Sequence, residues 1–272
     1  MNSPQGTPLS MDGLRAACIE IAQRAGAAIM AIYAQDFAVE AKADDSPLTA
    51  ADLAAHRIIC ESLTALTPEI PVLSEESAAI DWESRRSWSR YWLVDPLDGT
   101  REFVKKNGEF TVNIALIEGH APVLGVVHAP ALDYLVHAER GIGAFLRDGA
   151  DDIAMLTRRP AMSPLNVAAS RSHLDARTLA VLERIGEHER IGLGSSLKFC
   201  RIAEGRVDVY PRFGPTSEWD TAAGQCVLEC AGGAVLRLDG AALDCNRKAS
   251  LLNPDFIALG DANSPWRTWL HD

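Results

Sequence analysis

The chain of 272 residues has no long apolar run and no basic leader segment. Its apolar stretches are interrupted by charged residues well short of the ~18 residues that a membrane span requires. Its first ten residues are polar and lack the basic start of a targeting signal. We therefore expect no membrane anchor and no targeting segment, which makes the cytoplasm the default location.

Cys-x-x-Cys pairs are also missing. The six cysteines, at positions 18, 60, 200, 226, 230 and 245, include no Cys-x-x-Cys pair, and none stands beside a histidine at ligand spacing. These spacings exclude the common zinc motifs and a disulfide-rich scaffold. We expect reduced thiols that pack like small apolar side chains.

A basic surface is absent as well. The chain has 26 Lys and Arg against 37 Asp and Glu, for a formal net charge of −11. This balance argues against binding of a nucleic-acid polymer or an anionic membrane. An anionic substrate would therefore need local attraction, from metal ions and a few basic side chains. With 47% hydrophobic and 23% charged residues, the chain can bury a large core as one domain or as two coupled lobes.

The apolar pattern of the first half predicts helices followed by strands. Residues 11–35 repeat with a period near 3.6, which indicates an amphipathic helix, and a second helix is expected to begin at Asp52 and to stop at Pro68. Strand signals follow at 70–74, 91–95, 111–117, 122–128, 134–138 and 144–146. Because tight Gly or Pro breaks separate these segments, we predict an antiparallel sheet.

The pattern changes in the second half. Residues 148–164 look like a loop, and strands at 165–169 and 207–210 then alternate with helices. We therefore predict an α+β lobe over residues 1–150, which carries most of the acidic candidates, and an α/β lobe over residues 151–272. The two lobes are expected to form one compact unit without internal repeats.

The most informative motif is Asp-Pro-Leu-Asp-Gly-Thr at residues 95–100, which ends an apolar strand. Asp95 and Asp98 thus stand at the carboxyl end of the strand, where open α/β sheets bind ligands. Unpaired buried carboxylates are costly unless a cation or hydrogen bonds compensate them. A surface turn is the alternative interpretation, because Asp, Pro and Gly are ordinary turn residues.

Acidic residues recur at three other places. Glu75 and Glu76 end the apolar segment 70–74, and Asp52 lies at the predicted helix start. Asp220 begins a helix that runs to about residue 232. Each alone is typical of a helix cap or a solvated acid. If they converge, two unit charges about 4 Å apart repel by about 4 kcal/mol at an effective dielectric of ~20, so the cluster would need cations.

The donor types of this cluster indicate a hard metal ion. All candidates are carboxylate or carbonyl oxygens, which suit Mg²⁺ or Mn²⁺ rather than Zn²⁺. Because Mg²⁺ usually shares its coordination shell with substrate phosphate, the cluster points to a phosphoryl substrate. The backbone amides of Gly99 and Thr100, at a predicted helix start, would hold that phosphate.

Four motifs in the same order resemble the signatures of the inositol monophosphatase superfamily. They are residues 42–52, 71–76, 95–100 and 219–224. Four further segments are similar to the 3′(2′),5′-bisphosphate nucleotidase branch of that superfamily, the CysQ type; they are residues 101–103, 107–117, 194–200 and 208–212. The resemblance spans roughly residues 11–260. It implies the layered α-β-α-β-α sandwich of the sugar phosphatase fold, with the site between the lobes.

The resemblance also implies the metal ligands. Glu75, Asp95 and the carbonyl oxygen of Leu97 would hold one Mg²⁺. Asp95, Asp98 and Asp220 would hold a second. The cofactor expected from the resemblance is therefore Mg²⁺, with two ions and a third at a weaker site.

The catalytic pair that the resemblance implies is Asp52 and Thr100. The Thr100 hydroxyl, paired with Asp52, would orient and deprotonate the attacking water, with no covalent intermediate. Asp52 would also serve the third metal site. Glu76 is expected to support the ligands or to be solvated.

Six residues are implied to bind the substrate. The amides of Gly99 and Thr100 would contact the phosphate that is cleaved. The positions that match contacts to the 5′-phosphate or the base are Ser195, Lys198, Arg212 and His173.

The activity implied by the resemblance is Mg²⁺-dependent hydrolysis of the 3′-phosphate of adenosine 3′,5′-bisphosphate to AMP and phosphate. The sulfated analogue, 3′-phosphoadenylyl sulfate, would be a second substrate, Li⁺ would inhibit, and the setting would be sulfur metabolism. The expected partner is a small nucleotide, and the chain is a monomer or a homodimer. Some relatives associate with the cytoplasmic face of the inner membrane, which leaves peripheral association open here.

Three alternatives remain open at this point. The first is an inositol or sugar monophosphatase with the same metal chemistry. The second is an aspartyl-phosphate phosphatase of the haloacid-dehalogenase type, whose Asp-x-Asp-Gly-Thr motif places its acids two positions apart; here Asp95 and Asp98 are three apart and Pro96 lies between them. The third is an anion-binding regulator without catalytic activity.

Overall fold

The computed structural model of the chain describes residues 9–35, 47–77, 79–169 and 175–270. The helices within these ranges are α1 (Met11–Tyr33), α2 (Pro47–Leu66), α3 (Trp82–Arg85), α4 (Thr100–Val104), α5 (Ala176–Ile185), α6 (Leu197–Ala203), α7 (Glu218–Cys230) and α8 (Trp266–Leu270). The strands are β1 (Val72–Ser74), β2 (Arg90–Asp98), β3 (Thr111–Glu118), β4 (Ala121–Ala129), β5 (Tyr134–Glu139), β6 (Gly143–Asp148), β7 (Asp151–Met155), β8 (Leu165–Ala169), β9 (His188–Gly192), β10 (Val209–Arg212), β11 (Ala234–Arg237) and β12 (Phe256–Leu259).

The first sheet has seven strands in the order of the sequence, from β1 to β7. Strands β2 to β7 pair antiparallel, as the regular turn signals predict, and β1 joins the edge parallel to β2. The parallel pairing is functionally important, because it brings the carboxyl ends of β1 and β2 to the same edge of the sheet.

The second sheet has five strands in the order β11-β12-β10-β8-β9. Strand β8 is parallel to both β9 and β10, whereas β12 is antiparallel to β10 and β11. The α/β character expected for the second half of the chain is therefore found around β8.

Helices cover both sheets and also separate them. Helices α1 and α2 pack on the outer face of the first sheet, in a core that includes Ile29. Helices α6 and α7 lie between the sheets, in a second core that includes Cys226, and α5 and α8 cover the outer face of the second sheet around Val181. The five-layer α-β-α-β-α sandwich expected from the resemblance is confirmed.

Helix α7 packs directly against the first sheet where β4 presents a glycine to it. A Cβ atom on Gly125 would stand 2.6 Å from the carbonyl oxygen of Ala223 and 2.8 Å from Cβ of Cys226. Both distances are shorter than van der Waals contact, so only glycine permits this approach. The contact fixes the helix that carries Asp220 against the sheet that carries Asp95 and Asp98.

We expect Gly125→Ala to lower the free energy of unfolding by about 1–3 kcal/mol, because the added methyl group overpacks the interface. Urea unfolding followed by far-UV circular dichroism would measure the change. The matched control is Gly260→Ala, whose added Cβ would meet its nearest atom at 3.4 Å, an ordinary contact. Equal stabilities for the two variants would contradict this account of the interface.

Several sequence-based boundaries are wrong. Helix α2 begins at Pro47, so Asp52 lies in its second turn instead of opening it; proline favours a first turn because the N–H it lacks would have no helical partner. Strand β7 lies inside the expected loop 148–164, and four of its five residues are exposed, which removes the apolar signal of a strand. Strands β9, β11 and β12 were not predicted either.

The division of the chain into lobes 1–150 and 151–272 stays a prediction. The first sheet ends at Met155 and the second begins at Leu165. All six cysteines fall in the described ranges and are free thiols. Helix α1 is long and apolar enough to pass for a membrane span by length and composition, but eight of its residues are buried in the core.

Candidate active site

Asp95 and Asp98 come from an irregular end of β2. The pairing of β2 with β3 is regular up to Asp95 opposite Asn113 and shifts before Asp98 opposite Thr111. Pro96 lies in this bulge, where the missing N–H of a proline is tolerated. Asp95 is buried, and its Oδ1 accepts a hydrogen bond from the Leu97 N–H at 3.0 Å. The irregularity thus places two acidic side chains within one short segment at the sheet edge.

Gly99 turns the chain from β2 into helix α4. Its φ of 94° is left-handed, a conformation that favours glycine. A Cβ on this residue would also stand 3.1 Å from the carbonyl oxygen of Glu109. Thr100 is then the first residue of α4 and is exposed.

Glu75 and Asp220 reach Asp95 from two other elements. Strand β1 pairs in register with β2 up to Ser74 opposite Val94, so Glu75 follows directly beside Asp95. Asp220 lies in the first turn of α7, where its Oδ2 accepts a hydrogen bond from the Ser217 N–H at 2.8 Å. Both carboxyl groups share hydrogen bonds with the carboxyl group of Asp95. The predicted ligands Glu75, Asp95 and Asp220 therefore come together.

The acids of this cluster raise one another's pKa. Burial, followed by repulsion from Asp98, Glu75, Asp220 and Asp52, raises the pKa of Asp95 well above its usual range. Burial and Asp220 raise the pKa of Asp98 to about 7. Burial also raises the pKa of Asp220 to about 6 and, with smaller contributions from Glu76 and Glu75, that of Asp52 to about 8. So many acids with raised pKa values form a site that a cation would stabilise.

The donor set fits a hard divalent cation. The cluster supplies carboxylate oxygens from four elements, together with the backbone near Leu97, and such oxygen ligands suit Mg²⁺. As they stand within the described ranges, no three side chains of His, Cys, Asp or Glu are arranged so that they could hold a metal ion. The acids hydrogen bond to one another instead, as carboxyl groups with raised pKa values do when they share protons.

Asp52 lies at the edge of the cluster. It is 9% exposed, its Oδ1 has no hydrogen-bond partner among the described atoms, and its carboxyl group shares a hydrogen bond with Glu76. Helix α2, which carries Asp52, contacts α4, which begins at Thr100. The structure thus brings the two helices of the expected catalytic pair together, and it adds Glu76 as the partner of Asp52.

A cavity of about 460 Å³ opens beside the acidic cluster. Its walls come from both halves of the chain. They include four predicted substrate contacts and two predicted metal ligands, but not Thr100: Gly99, Ser195, Lys198 and Arg212, with Asp98 and Asp220. His173 lies outside the described residues. The aromatic side chains of Tyr210 and Phe213 complete one wall.

Two basic side chains of this cavity are held by backbone carbonyl groups. Lys198 is only 8% exposed, and its Nζ donates to the carbonyl oxygen of Ser195 at 2.6 Å. Burial lowers the pKa of Lys198 to about 8, although the nearby Asp98 partly offsets this effect. Arg212 donates to the carbonyl oxygens of Gly214 and Pro215 at 3.1 and 2.9 Å. These cations line the same cavity as two of the clustered acids.

Sequence reasoning missed several residues of the site. Asn113 and Ser196 both hydrogen bond to Asp98. Glu109 holds the loop before α6, since its Oε2 accepts from the Gly194 N–H and its carbonyl oxygen accepts from the Ser195 hydroxyl, both at 2.8 Å. One signal was available: Asn113 is a lone amide within the otherwise apolar stretch 112–117.

Comparisons with known proteins show the family of the chain. The inositol monophosphatase family matches residues 10–264. The 3′(2′),5′-bisphosphate nucleotidase CysQ of Salmonella typhimurium is 52% identical over 239 residues, which cover 87% of this chain and 96% of the relative. The same enzyme of Escherichia coli strain K12 is 50% identical with the same coverage.

Solved structures of known proteins share the fold of this chain. The crystal structure of CysQ from Bacteroides thetaiotaomicron superposes with a TM-score of 0.80 at 40% identity, covering 92% of this chain and 97% of that one. An inositol monophosphatase from Zymomonas mobilis, at 22% identity and a TM-score of 0.80, shares the fold over 96% of this chain and 99% of its own. The chain therefore belongs to the inositol monophosphatase family.

Proposed function

We propose that this chain is a 3′(2′),5′-bisphosphate nucleotidase that hydrolyses the 3′-phosphate of adenosine 3′,5′-bisphosphate to AMP and phosphate. The observation that carries this proposal is one cavity whose wall holds the acids Asp98 and Asp220 together with the cations Lys198 and Arg212. A metal-bound phosphate next to the acids and a second anionic group next to the cations would fill it. The relatives with 50–52% identity are 3′(2′),5′-bisphosphate nucleotidases, which supports the same activity. We propose 3′-phosphoadenylyl sulfate as a second substrate.

The enzymes of this family are metal-dependent phosphatases. In this chain we assign Mg²⁺ to the acidic cluster, with Glu75, Asp95 and the Leu97 carbonyl as one ligand set and Asp95, Asp98 and Asp220 as the other. When bound, Mg²⁺ would lower the pKa of water and neutralise the negative charge that develops on the phosphoryl group. The burial of Asp95 and its hydrogen bonds to two of the other proposed ligands support its place in both ligand sets.

Asp52 and Thr100 would accept the proton of the attacking water. The Thr100 hydroxyl oxygen accepts a hydrogen bond from the attacking water and donates its own hydrogen to Asp52, so that the proton of the water moves toward Oδ1 of Asp52. The missing partner of that Oδ1 supports this role, because a buried carboxylate oxygen without a donor is otherwise costly. Asp52 also remains our candidate for a third, weaker metal site.

The remaining contacts would bind the nucleotide. The amides of Gly99 and Thr100 would contact the phosphate that is cleaved, and Ser195, Lys198 and Arg212 the second phosphate. Arg212 and Lys198 are suited to this role because charge-assisted hydrogen bonds to phosphate are stronger than neutral ones. The role of His173 stays a prediction. The cytoplasm is our proposed location for this small-nucleotide enzyme. Burial of the apolar face of α1 in the core argues against use of that helix as a membrane anchor.

A substrate panel tests the proposal. We expect the purified full-length chain to release phosphate from adenosine 3′,5′-bisphosphate only with Mg²⁺ present, and EDTA to abolish the release. The kcat/KM for inositol 1-phosphate should be lower by at least about 100-fold, because charged hydrogen bonds to a second phosphate contribute about 1.5–3 kcal/mol each. Equal efficiency on both esters would favour an inositol monophosphatase. We also expect Li⁺ to inhibit the Mg²⁺-dependent rate in the same assay.

A further inference from the structure

Two buried polar side chains, Asn113 and Ser196, link the first sheet to the helices between the sheets. Asn113 lies on β3 directly opposite Asp95, and Ser196 precedes helix α6. Each is 1% exposed. The Asn113 Nδ2 donates a hydrogen bond to the Ser196 Oγ at 3.0 Å. This contact joins parts of the chain that lie in different layers of the sandwich.

The link ends on two of the proposed metal ligands. The Ser196 Oγ donates to the backbone carbonyl oxygen of Asp220 at 2.8 Å. The Asp98 carboxylate accepts a hydrogen bond from Asn113 and is a second acceptor within reach of the single Ser196 hydroxyl hydrogen. One pair of side chains therefore contacts Asp98, which ends β2, and Asp220, which lies on α7. Because these two carboxylates repel each other, other contacts must hold them at a fixed separation.

The pair is poorly suited to a purely structural role. Asn113 Oδ1 is buried without a hydrogen-bond partner among the described atoms, and burying an unpaired amide oxygen costs free energy. The amide cannot simply be reversed, because the Asp98 carboxylate needs a donor and only Nδ2 supplies one. An apolar side chain at position 113 would avoid this cost. The amide is therefore explained better by what it does for Asp98.

We propose that Asn113 and Ser196 are positioning residues that set the Asp98 carboxylate and the first turn of α7 for binding of a divalent cation. Hydrogen bonds from outside the coordination shell orient ligating carboxylates, and their loss typically weakens metal binding. Ser196 is central because it contacts Asn113, Asp98 and the backbone carbonyl of Asp220. The inference deepens the proposed function and rests on its metal site.

The experiment measures Mg²⁺ binding to the metal-free, full-length protein by isothermal titration calorimetry, without substrate. We expect Ser196→Ala to raise the Kd for Mg²⁺ by about 10-fold, and Asn113→Val to have a similar effect. The double variant should be little worse than either single variant, because both changes break the same link. Ser196→Thr keeps the hydroxyl and should restore the Kd to within about threefold of the wild type.

A kinetic measurement separates positioning from a general structural role. In the Ser196→Ala enzyme, the Mg²⁺ concentration that gives half the maximal rate should rise by about 10-fold, whereas kcat at saturating Mg²⁺ should fall by less than about threefold. The control is Thr67→Val, which removes a buried hydroxyl that accepts from Trp92 Nε1 at 2.9 Å and donates to the Leu63 carbonyl at 3.1 Å. This control should lower Tm and leave the Kd for Mg²⁺ unchanged.

The possible outcomes distinguish the positioning role of Ser196 and Asn113 from the proposed metal site. A folded Ser196→Ala protein whose Kd for Mg²⁺ stays within about twofold of the wild type overturns the positioning role, while the proposed function stands. A wild type that binds no Mg²⁺ overturns the metal site and the positioning role together. If Ser196→Ala does not fold, Asn113→Val reports on the same link with the serine in place, and an unchanged Kd there overturns the inference.

Discussion

Replacing Asp95 with asparagine should lower kcat for adenosine 3′,5′-bisphosphate by at least about 10³-fold. Asp95 is the proposed shared ligand of both metal positions, and loss of the charge stabilisation that metal ions supply costs several kcal/mol, at 1.36 kcal/mol for each tenfold in rate. The amide keeps the size of the side chain and removes only its charge. Steady-state phosphate release at saturating Mg²⁺ would measure the loss.

The thermal stability of the same variant should not fall. Asp95 is buried among acids, and burial together with that repulsion raises its pKa. Removing its charge should raise the Tm of the metal-free protein or leave it unchanged, and the stabilisation that Mg²⁺ gives by binding the folded state should largely disappear. A lower Tm in the metal-free protein would mean that Asp95 serves the fold instead of the metal site.

Asp208 provides the matched control. It is equally buried, but it forms an ion pair with Arg158 at 2.7 and 3.1 Å and accepts from the Asn166 N–H at 2.8 Å. Asp208→Asn should therefore lower the free energy of unfolding by about 3–5 kcal/mol, because it leaves the cation without its partner. Its kcat should stay near that of the wild type. Comparison of the two variants would thus separate an effect on catalysis from an effect on stability.

Replacing Lys198 with methionine should lower kcat/KM for adenosine 3′,5′-bisphosphate by about 100-fold. The ammonium group lines the cavity beside Asp98 and Asp220, and a charge-assisted hydrogen bond to the second phosphate is worth about 1.5–3 kcal/mol. The kcat/KM for 3′-AMP, which lacks the 5′-phosphate, should change by less than about threefold. Equal losses on both substrates would assign Lys198 to the cleaved phosphate. Lys248→Met, on a half-exposed lysine outside this cavity, is the control.

The pH profile gives a second test of Lys198. Burial lowers the pKa of its ammonium group to about 8, so the charge is present below that pH and is lost as the pH rises through it. Because kcat/KM reports on groups of the free enzyme, the value for the bisphosphate should fall above about pH 8. Lys198→Arg should remove this decline, since the guanidinium group stays charged. An unchanged decline in the arginine variant would assign it to another group.

The local geometry around Asp95 and Asp98 could be predicted, because it depends on a short motif of neighbouring residues. Asp95, Asp98 and Gly99 lie within five residues, and their order along the chain already places two carboxylates next to a left-handed turn. Periodicity likewise predicted α1 and most of the first sheet, since its central strands are buried and strongly apolar. Strand β7 was not predicted, because four of its five residues are exposed and an exposed edge strand has no apolar pattern.

The first residue of α2 was predicted wrongly for a different reason. The sequence places Asp52 after a proline and an apolar segment, which fits a helix start, yet the helix begins five residues earlier, at Pro47. Helix boundaries depend on capping and on neighbours that the local sequence does not reveal. The consequence for the site is direct: Asp52 points from the second turn of a helix toward Glu76 and is not used as a cap.

The sequence by itself determined the chemistry of this protein: which oxygen donors are available, that Asp95 and Asp98 end a strand, and which family the ordered motifs indicate. Only the tertiary structure decided how acids from β2, the turn after β1 and α7 meet, because their proximity depends on the parallel pairing of β1 with β2 and on the close approach of α7 at Gly125. The link through Asn113 and Ser196 was equally invisible in the sequence, since a hydrogen bond between residues 113 and 196 exists only once the layers have packed.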